Sequence, residues 1–177
     1  MKLDLFAVIV LVGHFTVSTV KADKGSWKKI NTIPVCFGAK NNNYGKFQPT
    51  RHGFLAAVKL VHRTGYVAND PDKSYRSHWG SDRGHDNLDI LVTNTRNEVI
   101  FPLTGVRYMP GSNPGRWYEM DAFNAKSNEL VLQHGFDKGY YVGPESMLRV
   151  WYGEDLYNYT EANNVGTECV DVYGYFI

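Results

Sequence analysis

Along residues 168–177 two sets of side chains alternate: Cys169, Asp171, Tyr173, Tyr175 and Ile177 interleave with Val170, Val172, Gly174 and Phe176. A period of two puts one set inward and the other outward on a pleated strand, so this segment predicts a half-buried β-strand. Upstream, short runs rich in Val, Ile, Tyr, Phe and Trp recur between clusters of Gly, Pro, Asn, Asp and Ser. They predict strands over 32–37, 53–62, 88–93, 98–101, 116–120, 129–133 and 147–152, with 94–97 as a hairpin loop. In 53–62, Phe54, Ala56, Val58 and Leu60 share one face, although the Leu-Ala-Ala-Val centre also suits a helical turn.

No convincing amphipathic helix interrupts these strands. The pattern predicts an all-β, single-domain β-sandwich, for which a jelly-roll is a natural topology. Long irregular segments at 64–87, 104–115 and 153–166 are where a rigid sandwich usually carries its binding surface. There is no internal repeat, low-complexity tract or dividing linker.

The first 22 residues do not fit that picture. Lys2 gives a positive start, 5–17 is an apolar run broken only by Gly13, His14 and Thr16, and Val20-Lys21-Ala22 ends on a small residue. This is the three-part pattern of a secretory signal peptide, with cleavage expected between Ala22 and Asp23. The apolar run falls short of the ~20 residues that cross a bilayer. The expected product is a secreted domain over 23–177 with no membrane partner.

Charge narrows the partners. The whole chain carries a formal +1, and losing Lys2, Lys21 and Asp4 with the leader balances the mature chain. No basic block is present to engage phosphates, which argues against nucleic acid. Two cysteines remain, Cys36 and Cys169, near the ends of the mature chain. In an oxidising compartment, a pair without metal-ligand spacing reads most simply as one disulfide. Such a bond requires the first and last strands to lie together.

Candidate chemistry is sparse. Glu154 and Asp155 are adjacent in the LRVWYGEDL string at 148–156, and a glycan hydrolase needs two carboxyls. Neighbours at a strand end point to different sides, so adjacency does not give the ~5 Å separation across a substrate that such chemistry needs. Glu154, Asp155, Glu161 and Asn163 are oxygen donors within one loop, which admits calcium as a cofactor. Their spacing does not follow a calcium-binding loop. A sugar site wants an aromatic face beside polar groups, and in the SHWGSDRGHDN loop Trp79 with Asp82 and Asn87 could supply one. His78 and His85 in that loop lack zinc-ligand spacing. His52, His62 and His134 show no partner pattern. No nucleophile motif or phosphate-binding glycine loop occurs. Asn158-Tyr159-Thr160 is an N-glycosylation sequon in an expected surface loop.

The strings CFGAK at 36–40, VKLVH at 58–62, LRVWYGEDL and CVDVYGYFI resemble an extracellular module of secreted cnidarian proteins. That group includes components of the organic matrix in stony-coral skeletons. The resemblance spans nearly all of the mature chain. It implies a secreted, non-enzymatic, structural or adhesive component of a skeletal extracellular matrix, with matrix proteins or glycans as partners. The balanced charge departs from the acidic matrix proteins that contact mineral. A carbohydrate-binding, lectin-like module using the long loops is the alternative, and a hydrolase acting through Glu154 or Asp155 is a third reading.

Overall fold

The computed structural model describes residues 25–81, 87–110 and 116–177; the leader expected over 1–22 lies outside them. The strands are β1 (Ser26–Lys29), β2 (Val35–Gly38), β3 (Gly45–Phe47), β4 (Gly53–Ala68), β5 (Gly80–Ser81), β6 (Asn87–Leu88) and β7 (Ile90–Thr93). They continue with β8 (Val99–Phe101), β9 (Arg107–Tyr108), β10 (Tyr118–Glu119), β11 (Glu129–Gln133), β12 (Tyr140–Val142) and β13 (Leu148–Tyr152). A short helix, α1 (Gly153–Leu156), precedes β14 (Val165–Phe176).

These strands form three antiparallel sheets. The largest runs β1-β14-β4-β11, with β12 also on β4 and β2 also on β14; the others run β3-β13-β7-β8 and β5-β6-β10-β9. Val170, Val172 and Phe176 of β14 are buried, while Tyr173 and Tyr175 are half-exposed. They join Leu55, Val58 and Leu60 of β4, Ile90 and Val92 of β7, and Val150 of β13 in one core. Trp79, Leu88 and Tyr118 bring the β5-β6-β10-β9 sheet into the same core. Each aliphatic side chain so buried contributes about 1.5–3 kcal/mol. Among the described residues, no helix is long and apolar enough to cross a membrane.

The end-to-end disulfide is present. Cys36 of β2 lies opposite Cys169 of β14 in the strand register, with Cα atoms 4.0 Å apart. The N-terminal β1 also pairs with β14, from Ser26 against Phe176 to Lys29 against Tyr173.

The predicted strand over 53–62 is a strand and not a helical turn, and it runs on to Ala68. Thr64 and Gly65, expected in the irregular segment 64–87, pair within the sheet against Cys169 and Glu168. Gly65 has φ +102°, and a Cβ there would stand 2.1 Å from the Thr167 carbonyl oxygen. Glycine lets two backbones come closer than a side chain permits. The segments 64–87 and 153–166, expected to be irregular, therefore lend residues to β4, β5, α1 and β14.

Candidate functional site

Asp89 sits between β6 and β7, fully buried, and gathers three segments. Its Oδ1 accepts the Trp117 backbone N–H at 3.2 Å, and its Oδ2 accepts the Glu154 backbone N–H at 2.9 Å. Its carbonyl accepts the Gly153 N–H at 2.7 Å, and its own N–H donates to the Trp79 carbonyl at 2.8 Å. Burial, reinforced by nearby Glu154, holds its carboxyl well above the usual range. A buried carboxyl with two backbone donors is costly to move, so the start of α1 is anchored.

Glu154 projects from that anchored turn. Its Oε1 accepts the Trp117 indole N–H at 3.1 Å and the Thr160 hydroxyl at 3.3 Å. Its Oε2 is buried with no hydrogen-bond partner among the described residues. Burial raises this carboxyl above its ordinary value. Arg116, only 3% exposed, lays its guanidinium over the Tyr159 ring at 3.5 Å. Its Nε and Nη1 also lack partners among the described residues.

Asp155 turns away from Glu154. Its two oxygens accept the backbone N–H groups of Asn42 and Asn43 at 2.7 and 3.0 Å, while Glu161 Oε2 accepts that of Asn41 at 3.0 Å. Two carboxyls thus clamp three consecutive backbone donors. Asn41 and Asn42 have φ of 66° and 55°, a left-handed conformation that asparagine tolerates better than most residues. Burial, with Glu161 close by, raises Asp155 to about 6.

Left-handed, non-glycine backbone also occurs at Trp117, Asn158 and Thr160. Such positions tend to collect where a surface has been shaped for a ligand. The exposed rings of Tyr157 and Tyr159 stand beside Arg116, giving aromatic faces next to unsatisfied donors and an acceptor. This is chemistry suited to a polyol, whose C–H faces pack on aromatic rings while its hydroxyls both donate and accept.

The residues expected to form the sugar site distribute differently. Trp79 is fully buried, and its indole N–H donates to the Ser127 carbonyl at 2.6 Å, so it is a packing residue with no open face. Asn87 lies in β6, half-buried, and Asp82 lies outside the described residues. Glu154 and Asp155 diverge, but as neighbours in α1, which directly follows β13. Of the oxygen donors considered for calcium, Glu154 Oε1 accepts from Trp117 and Thr160, Asp155 from Asn42 and Asn43, and Glu161 Oε2 from Asn41, while the Asn163 amide N–H donates to the Asn69 carbonyl. Among the described residues, no group of three His, Cys, Asp or Glu gathers to hold a metal. Asn158 is exposed, and its sequon partner Thr160 bonds to Glu154. Sequence reading missed Arg116 and Asn41–43; an Asn-Asn-Asn run, read as a left-handed turn, was the available signal for the latter.

No protein-family model matches the chain, and no curated protein matches it. Among solved structures, AJLec from the sea anemone Anthopleura japonica is similar to it. The two are 45% identical, over 86% of this chain and 98% of that one, with a TM-score of 0.79. A sea anemone is a cnidarian, which agrees with the cnidarian resemblance of the sequence; the match carries no link to coral skeletal matrix.

Proposed function

The chain belongs to the family of AJLec, and from that premise we propose that it is a secreted lectin. Its relative is named as a lectin, and the 45% identity over nearly all of that protein is the observation that carries the reading. Of the roles the sequence leaves open, glycan binding gains this support and a structural role in matrix does not. Extracellular glycans are then the expected partners, and the disulfide suits an oxidising, extracellular setting.

The glycan is expected at the end of the sandwich built by Asp89, Arg116, Glu154 and Tyr159. The exposed Tyr159 ring packs on a sugar C–H face, and the buried Arg116 guanidinium stacked against it holds that ring in place. The binding mode needs no reaction at Glu154, whose role is that of a fixed acceptor.

The test is a glycan array probed with the native protein, with and without a chelator. Selective retention of a glycan class is expected, and the exposed Tyr159→Ala variant should weaken it about tenfold. Loss of binding with chelator would add a calcium ion to the site. An array blank under both conditions would overturn the assignment, and undiminished binding by Tyr159→Ala would overturn the location.

A further inference from the structure

A cavity of about 420 Å³ lies outside these residues, lined by Gly65, Tyr66, Arg76, Ser77, His78 and Lys126. Val67 and Ser77 exchange backbone hydrogen bonds of 2.8 and 3.0 Å, which holds 76–78 against β4. Arg76 lies over the Tyr66 ring at 4.3 Å, and its Nε is buried with no partner among the described residues. His78 Nδ1 is 3.1 Å from the Ser127 carbonyl, so that nitrogen carries a proton and donates. The ring stacks on His62 at 3.7 Å and 9°.

The electrostatics of this wall favour one sign of ligand. Arg76 and Lys126 are cationic, and among the described residues no carboxylate lines the cavity. Glu168 touches His62 at 2.5 Å, but burial pushes its carboxyl up to about 8. Burial and neighbouring His78 lower His62. At neutral pH the pair is therefore uncharged, with the Glu168 hydroxyl donating to His62 Nδ1, and it does not offset Arg76.

We propose that this cavity binds an oxyanion, a carboxylate or sulfate, carried on a saccharide. A guanidinium fixed by stacking presents a planar fork of N–H donors, the geometry that such anions match with paired hydrogen bonds. The anion half of the proposal stands on the cavity alone; the saccharide half rests on the glycan-binding reading.

The experiment is an NMR titration of the native protein at fixed ionic strength, following the ring protons of His62 and His78. The probes are inorganic sulfate, methyl glucuronide and neutral methyl glucoside. Both anions are expected to shift His78, methyl glucuronide at the lower concentration, and methyl glucoside to leave it unmoved. Arg76→Gln should weaken both anions about tenfold, and Lys126→Gln, on an exposed side chain, should weaken them less. No response to either anion, or unchanged affinity in both variants, would overturn the site. A response to sulfate without one to methyl glucuronide would overturn the saccharide assignment, whatever the array shows. An equal response to methyl glucoside would overturn the anion.

Discussion

Gly153 and Asp89 are in such close contact that a Cβ on the glycine would stand 2.1 Å from the Asp89 Oδ1. The glycine is required for space, because its backbone runs directly over a buried carboxyl that holds Trp117 and Glu154 in place. Gly153→Ala should push the carboxyl off at least one of its backbone donors. Leaving a buried polar group unsatisfied costs about 1–3 kcal/mol, so a loss of ~2–4 kcal/mol is expected once the steric shift is included. Urea unfolding measures it, and a variant as stable as the parent would show that Asp89 is not what fixes α1.

The disulfide should be reducible without unfolding. Cys36 lies on the exposed side of β2, so a small phosphine can reach the sulfur in the native protein. Brief reduction followed by iodoacetamide is expected to alkylate both Cys36 and Cys169 while the β-sheet circular dichroism persists. The bond closes a loop across 133 positions, and its loss should lower the unfolding free energy by ~4–5 kcal/mol in the chain-entropy estimate. A domain of ordinary stability, about 5–15 kcal/mol, would become marginal.

What the sequence discloses of this fold depends on how local the determining physics is. The strand over 129–133 and the loop over 94–97 are set by near neighbours, and both appear where the pattern places them. The alternation along 168–177 appears in β14, where Val170, Val172 and Phe176 are buried and Tyr173 and Tyr175 half-exposed, because one face is covered and the other is not. Gly65 misleads, since its glycine answers to a strand a hundred residues distant. β1 is missed because Ser26, Trp27, Lys28 and Lys29 form an exposed edge with no alternation to read. Trp79 has the composition of a sugar platform and the burial of a core residue, and only packing separates the two. Arg116 gives no sign at all, because a buried guanidinium is defined by what surrounds it.

Stability should fall on the alkaline side. Glu168 is raised by burial from 4.5 to about 8. A carboxyl that holds its proton more tightly in the fold contributes stability fully below its unfolded value, and that contribution is lost as pH rises through about 8. His62 acts in the opposite direction, because its lowered value means stability lost as pH falls through it. Between about pH 5 and about pH 9 the Glu168 contribution should lower the urea midpoint. Glu168→Gln keeps the shape and a donor to His62 without the titrating proton, and should flatten this limb. An unchanged slope in that variant would place the titrating group elsewhere.

Asp155 offers a site-resolved version of the same measurement. It accepts from Asn42 and Asn43 while Glu161 accepts from Asn41, so two carboxyls share one short, left-handed turn. Burial disfavours its charged form, and Glu161 close by adds to the effect, so Asp155 keeps its proton up to about 6. The sign follows as before: the contribution is complete below 3.8, the ordinary value, and lost as pH rises through about 6. The amide protons of Asn42 and Asn43 report this directly, since their acceptor changes charge. Their chemical shifts should titrate together with a midpoint of about 6. Asp155→Asn should abolish that titration and cost ~1–3 kcal/mol, because its amide nitrogen cannot accept the second backbone N–H. If the two amides instead move with the midpoint of an ordinary aspartate, the carboxyls do not share the turn. The clamp would then give no reason for Asn41 and Asn42 to remain left-handed.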